Sequence, residues 1–217
     1  MRLVHVSIPP RASSAAPPLL LLLHGIGADE QDLLPLAPHL DPRLHVISAR
    51  APHEAEPMGH RWYEIDWSVT PARADPEEIV ASRALLASFV EEATAAYGTD
   101  PARTFLLGFS QGAIMSLALL LARPDLVRGV VAHSGRLARL PGSEPGPAAL
   151  AHAEVLVLHG VEDPVVPFEE GRRAHEVLAT LLGPRATFRA FEGLGHGISD
   201  ESLAVASRWI TERLDTR

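Results

Sequence analysis

Residues 104–112 read Thr104-Phe105-Leu106-Leu107-Gly108-Phe109-Ser110-Gln111-Gly112. An apolar run of strand length ends in Gly-x-Ser-x-Gly, and Gln111–Ala122 then carries a helical pattern. A serine at such a junction sits in a tight, strained turn that lifts its hydroxyl above the end of a sheet. Glycines are needed on both sides because larger side chains would strike the adjoining backbone. Alone, the pattern also fits an ordinary glycine-rich strand-to-helix turn, so its meaning depends on the flanking sequence.

Outward from this stretch, short apolar runs alternate with longer helical patterns. The runs predict strands over Leu3–Ile8, Leu19–Leu23, Leu44–Ser48, Thr104–Phe109, Val127–Ala132, Val155–Leu158 and Ala186–Phe191. The longer patterns predict helices over Gln31–His39, Pro76–Tyr97, Gln111–Ala122, Pro167–Leu182 and Asp200–Leu214. Such alternation points to βαβ units, hence an α/β fold with a mainly parallel central sheet flanked by helices and no large lid domain. The helix over Pro76–Tyr97 is bounded most clearly. Asp75, Pro76 and Glu78 supply a cap, a first-turn proline and an acidic first turn, and Gly98 supplies the stop.

The chain has 217 residues, 47% of them hydrophobic and 21% charged. That suits one globular domain, 1–217, able to bury its own core. A formal charge of −8 offers no footprint for nucleic acid or an anionic membrane. There are no cysteines, which removes disulfides and thiolate chemistry and suits a cytoplasmic protein. The run Leu19–Leu23 is far too short for a membrane span of ~20 residues, and no charged region directly precedes it. A parallel strand covered on both faces explains it better.

The chemistry is read in chain order. In α/β-hydrolase folds an acid and then a histidine follow the serine. His159-Gly160-Val161-Glu162-Asp163 follows a strand pattern, which puts Asp163 on a loop at a strand's C-terminal end. His196 stands in Gly193-Leu194-Gly195-His196-Gly197, after the strand pattern Ala186–Phe191. The catalytic set expected is therefore Ser110 as nucleophile, His196 as general base and Asp163 as the group that orients and stabilises the imidazole, with Glu162 as a rival acid. His24-Gly25-Ile26-Gly27 follows the leucine run as an oxyanion-hole loop would. The backbone N–H groups of Ile26 and Gln111 are the expected donors. His24, His133 and His159, each at a strand end, are expected to be structural. No histidine pair has metal-site spacing, so neither metal nor cofactor is implied.

Two segments lack clear periodicity. Leu140–Ala151, rich in Pro, Gly and Ala, reads as a surface loop. Ala51–Thr70 holds Met58, Trp62, Tyr63 and Trp67, which are expected to wall an apolar substrate groove or else to pack on the sheet. Short to medium acyl esters are the expected substrates, since little chain remains for a lid.

These residues resemble the phospholipase/carboxylesterase family, which includes acyl-protein thioesterases and small bacterial carboxylesterases. The matching pieces are Leu23-His24-Gly25-Ile26-Gly27-Ala28-Asp29, Trp62-Tyr63-Glu64-Ile65-Asp66, Gly108–Gly112, Ser134-Gly135, His159-Gly160-x-x-Asp163-x-Val165-Val166-Pro167 and Gly195-His196. The resemblance spans nearly the whole chain. It implies a serine carboxylesterase that works through an acyl-enzyme, with a thioesterase or lysophospholipase-type deacylase as the alternative. A non-catalytic binding protein of this fold is a remote third reading, since it has no need of a full triad. The resemblance implies that Trp62 borders the substrate groove, and it is to a family whose members often form homodimers. The sequence departs from many relatives at Ile26 and Ala113, where leucine and glycine are usual.

Overall fold

The computed structural model describes residues 1–12, 14–66, 68–69, 73–138, 140, 145–146 and 148–215. Its strands are β1 (His5–Ile8), β2 (Leu19–Leu23), β3 (His45–Ala49), β4 (His53–Glu54), β5 (His60–Arg61), β6 (Ile65–Asp66), β7 (Arg73–Ala74), β8 (Thr104–Phe109), β9 (Gly129–His133), β10 (Glu154–Gly160) and β11 (Ala186–Phe191). Its α-helices are α1 (Pro76–Tyr97), α2 (Gln111–Ala122), α3 (Phe168–Leu182) and α4 (Asp200–Asp215). Seven strands form one sheet in the order β1-β3-β2-β8-β9-β10-β11. Every pair is parallel except β1 with β3. The remaining four make two small antiparallel ladders, β4–β5 and β6–β7.

The leucine run shows why the sheet is where it is. All five leucines of β2 are fully buried. Leu19, Leu21 and Leu23 enter the core under α1, α2 and α3, while Leu20 and Leu22 enter the core under α4. This is the two-residue period of a strand covered on both faces. Each such side chain contributes about 1.5–3 kcal/mol of burial, as an upper estimate. Among the described residues no helix is long and apolar enough to cross a membrane.

Helix α1 starts at Asp75, whose carboxylate accepts from the N–H groups of Glu77 and Glu78 at 2.8 and 3.4 Å. It ends at Gly98 in the left-handed region, φ 62°. The helix expected over Gln31–His39 is instead a 3₁₀ segment, Leu34–His39. Pro35 and Pro38 withhold the N–H groups that an α-helix needs there. The expected surface loop at 140–151 is anchored at two points, because Leu140 and Leu150 are both core residues; positions 139, 141–144 and 147 lie outside the described residues. The described residues of 51–66 form the β4–β5 ladder and the first strand of the β6–β7 ladder, and Trp67 and Thr70 lie outside the described residues.

Candidate active site

Ser110 stands between the end of β8 and the first residue of α2, at φ 54° and ψ −117°. L-residues rarely adopt such a backbone, and it persists only where the surroundings hold it. Here the neighbours do so by close approach. A Cβ on Gly108 would lie 2.2 Å from the Gly112 carbonyl oxygen, and one on Gly112 would lie 1.9 Å from that of Leu23. The N–H of Ser110 donates to the His133 carbonyl at 3.0 Å, continuing the ladder to β9.

The Ser110 hydroxyl donates to His196 Nε2 at 3.0 Å, and His196 Nδ1–H donates to Asp163 Oδ2 at 2.8 Å. The tautomer follows from Asp163, which as a carboxylate can only accept. Burial opposes ionisation of Asp163. The hydrogen bond from His196 and those from the N–H groups of Val166 and Val165 outweigh it and hold the carboxyl below its ordinary range. The rival acid Glu162 is exposed on the neighbouring turn. Phe109 packs against His196 with ring centroids 4.8 Å apart.

The other strand-end histidines have structural partners. Buried His24 donates through Nδ1 to the Gly25 carbonyl at 2.6 Å and accepts at Nε2 from the Ala51 N–H at 3.0 Å. Burial lowers its pKa, which keeps that neutral tautomer. His159 Nε2 donates to the Val166 carbonyl at 2.8 Å and so steadies the loop that carries Asp163. His133 lies between the hydroxyls of Ser134 and Ser202, at 3.1 and 2.9 Å. Its pKa is pushed down to about 3, chiefly by burial.

The loop after β2 lies against the serine, since a Cβ on Gly25 would meet the Ser110 Cβ at 3.2 Å. Ile26, next in that loop, lines the cleft with Ser110 and Gln111. Gln111 is the first residue of α2, so its N–H has no acceptor within the helix.

The cleft holds about 430 Å³. Its apolar wall is Ile26, Ile65, Ile114, Val165, Val166 and Pro167, and Tyr63, Arg136 and Glu170 also line it. Neither Trp62 nor Met58 is among the lining residues. Trp62 is fully buried, and its indole N–H donates to the His24 carbonyl at 3.0 Å. Met58 is 71% exposed, on the turn of the β4–β5 ladder. Trp62 is held away from the cleft by a clamp that the sequence did not announce. The Gln111 side chain accepts from the Trp62 N–H and donates to the Tyr63 carbonyl, both at 2.9 Å. Ser82 Oγ donates to the Trp62 carbonyl at 2.5 Å. The segment is thereby drawn into the core, and Tyr63 and Ile65, rather than Trp62, line the cleft. The only available signal was the amide-bearing residue directly after the serine. Among the described residues no group of three or more His, Asp or Glu side chains is arranged to hold a metal ion.

The chain is similar to known proteins along most of its length. The family described as Phospholipase/Carboxylesterase matches residues 8–214. Esterase YpfH of Escherichia coli (strain K12) is 32% identical over 197 residues, which are 87% of this chain and 79% of that protein. Acyl-protein thioesterase 1 of Schizosaccharomyces pombe is 32% identical over 146 residues, covering 65% of this chain and 63% of that one. The crystal structure of esterase PE8 superimposes with a TM-score of 0.83 at 29% identity, covering 98% of this chain and 99% of the other.

Proposed function

The chain belongs to the phospholipase/carboxylesterase family and is a serine hydrolase of carboxylic esters; from that premise we propose that it cleaves short- to medium-chain esters through an acyl-enzyme on Ser110. The observation that carries this reading is the chain of hydrogen bonds Ser110–His196–Asp163, at 3.0 and 2.8 Å, opening on the cleft.

In the first half-reaction His196 Nε2 takes the hydroxyl proton as Ser110 Oγ bonds to the ester carbonyl carbon. Asp163 stabilises the imidazolium that results. The negative oxygen of the tetrahedral intermediate is held by the N–H groups of Ile26 and Gln111, donors that need no reorganisation as charge develops. Collapse breaks the bond to the alcohol oxygen, which leaves with the proton from His196. In the second half-reaction water loses a proton to His196 as its oxygen attacks the acyl carbon. The carboxylic acid departs and the Ser110 hydroxyl is restored.

A cleft of about 430 Å³ with an aliphatic wall supports short and medium acyl groups. Each methylene buried there adds up to ~0.8 kcal/mol, and the gain stops where the wall ends. A second reading, cleavage of acyl thioesters, rests on the similarity to a protein named acyl-protein thioesterase 1. Stopped-flow hydrolysis of p-nitrophenyl esters from acetate to palmitate tests the first. We expect a burst of p-nitrophenol and a kcat/KM that peaks at an intermediate chain. No burst at any chain length, with chemistry after acylation limiting, would contradict the acyl-enzyme. A rise continuing to palmitate would contradict the short-chain preference.

A further inference from the structure

Arg136 is an unexpected lining residue. The protein is acidic, with a formal charge of −8, and the cleft wall is otherwise largely aliphatic. The other charged lining residue, Glu170, already accepts from Arg173 Nη1 at 2.9 Å. Arg136 has no ion-pair partner among the described residues and is half-buried. Its position is fixed by the preceding residue. A Cβ on Gly135 would meet the Ala113 Cβ at 2.6 Å and the Ser110 carbonyl oxygen at 3.4 Å, so the chain here runs against the first turn of α2. Arg136 follows directly and lines the cleft together with the serine.

A second group points the same way. Tyr63 lines the cleft and is fully buried, and its hydroxyl has no hydrogen-bond partner among the described residues. Tyr63 and Arg136 line the same cleft; burial raises the pKa of the phenol, and the charge of Arg136 acts on it in the opposite sense. A buried donor without an acceptor is costly, and a ligand that supplies one recovers that cost. A planar guanidinium with five donors and a phenolic O–H together suit an acceptor-only group.

We propose that Arg136 and Tyr63 bind a carboxylate on the substrate, so that the preferred esters carry a negative charge on either the acyl or the alcohol side. This rests on the esterase reading above and narrows it from esters in general to anionic esters. The overall acidity of the protein would repel such substrates, and Arg136 supplies the local positive charge that offsets it.

Two matched pairs of substrates test this. Phenyl hydrogen succinate and phenyl methyl succinate differ in a charge on the acyl side. 4-Acetoxybenzoate and its methyl ester differ in a charge on the alcohol side. Phenol release or acetate release is followed for wild type, Arg136→Gln, Arg136→Lys and Tyr63→Phe. In wild type we expect at least one charged ester to exceed its neutral twin in kcat/KM, by a ratio that falls as salt is raised. Arg136→Gln is expected to lower that ratio about tenfold or more, and Arg136→Lys and Tyr63→Phe by less. A charged-to-neutral ratio that is the same in wild type and Arg136→Gln for both pairs would overturn the proposal while leaving the esterase reading intact. Failure of wild type to hydrolyse even the neutral twins would overturn the esterase reading, and this one with it.

Discussion

Two serines follow neighbouring strands of the sheet with nearly the same positive φ. Ser110 follows β8 at φ 54°, and Ser134 follows β9 at φ 52°. Each donates its N–H to the next strand, to His133 at 3.0 Å and to Leu158 at 2.8 Å. Each also has its hydroxyl on a histidine, His196 Nε2 at 3.0 Å for Ser110 and His133 Nδ1 at 3.1 Å for Ser134. What differs is the far side of the imidazole and the way out. His196 donates to the carboxylate of Asp163, whereas His133 meets the neutral hydroxyl of Ser202. Ser110 opens on the cleft, while Ser134 is fully buried. A strained serine touching a histidine therefore does not make a nucleophile. A base able to hold a proton, and a substrate within reach, do.

The largest separation between the two corners should come from the third member of each. Asp163→Asn removes the charge that stabilises protonated His196 and is expected to lower kcat by about 10⁴. Ser202→Ala makes the parallel change at the other corner. It is expected to leave ester hydrolysis within about twofold while costing about 1–3 kcal/mol of stability, because His133 Nε2 loses its partner. Steady-state rates on p-nitrophenyl acetate and urea melts of the two variants check this. Comparable losses of kcat in both would erase the distinction.

A smaller effect concerns protons. His133 stays neutral in the fold down to about pH 3, whereas in the unfolded chain it takes up a proton near its ordinary value of 6.5. Between those values the unfolded state binds more protons, so this histidine makes stability fall as pH falls from 6.5 towards 3. Asp163 acts in the same direction, because its folded pKa is lowered and its contribution is lost as acid protonates it. His133→Gln keeps hydrogen-bonding capacity but cannot titrate. Unfolding free energies measured at intervals of pH should show an acid slope shallower by up to about 1.4 kcal/mol per pH unit, one proton's worth. An unchanged slope would mean that His133 titrates in the fold as it does when unfolded.

Much of this was legible in the sequence, and the parts that were not share a cause. Strands buried on both faces announce themselves as apolar runs, and Leu19–Leu23 is the clearest. Glycines forced by backbone approach, such as Gly108 and Gly112, mark the corner around Ser110. The order of serine, acid and histidine pointed to Asp163 and His196 at strand ends, and in the structure His196 bridges Asp163 to Ser110. The wall of the cleft was not legible, because it is set by tertiary hydrogen bonds without a periodic signature. The Gln111 clamp holds Trp62 and Tyr63, both fully buried, and of the two only Tyr63 borders the cleft. Arg136 is one residue of an irregular segment, and only the assembled fold shows that it lines the cleft. Propensity likewise missed the 3₁₀ segment at Leu34–His39, where two prolines override the apolar spacing.

The contrast between the two serines is tested most directly by covalent capture. Wild-type protein and the Ser110→Ala variant are treated with a fluorophosphonate probe, digested, and mapped by mass spectrometry. One equivalent of adduct is expected in wild type, on the peptide that carries Ser110, with none on the peptide that carries Ser134. The Ser110→Ala variant is expected to take up no probe and to lose ester hydrolysis while melting cooperatively as a folded protein. An adduct on Ser134, or undiminished labelling and turnover in Ser110→Ala, would contradict the assignment of Ser110 as the nucleophile.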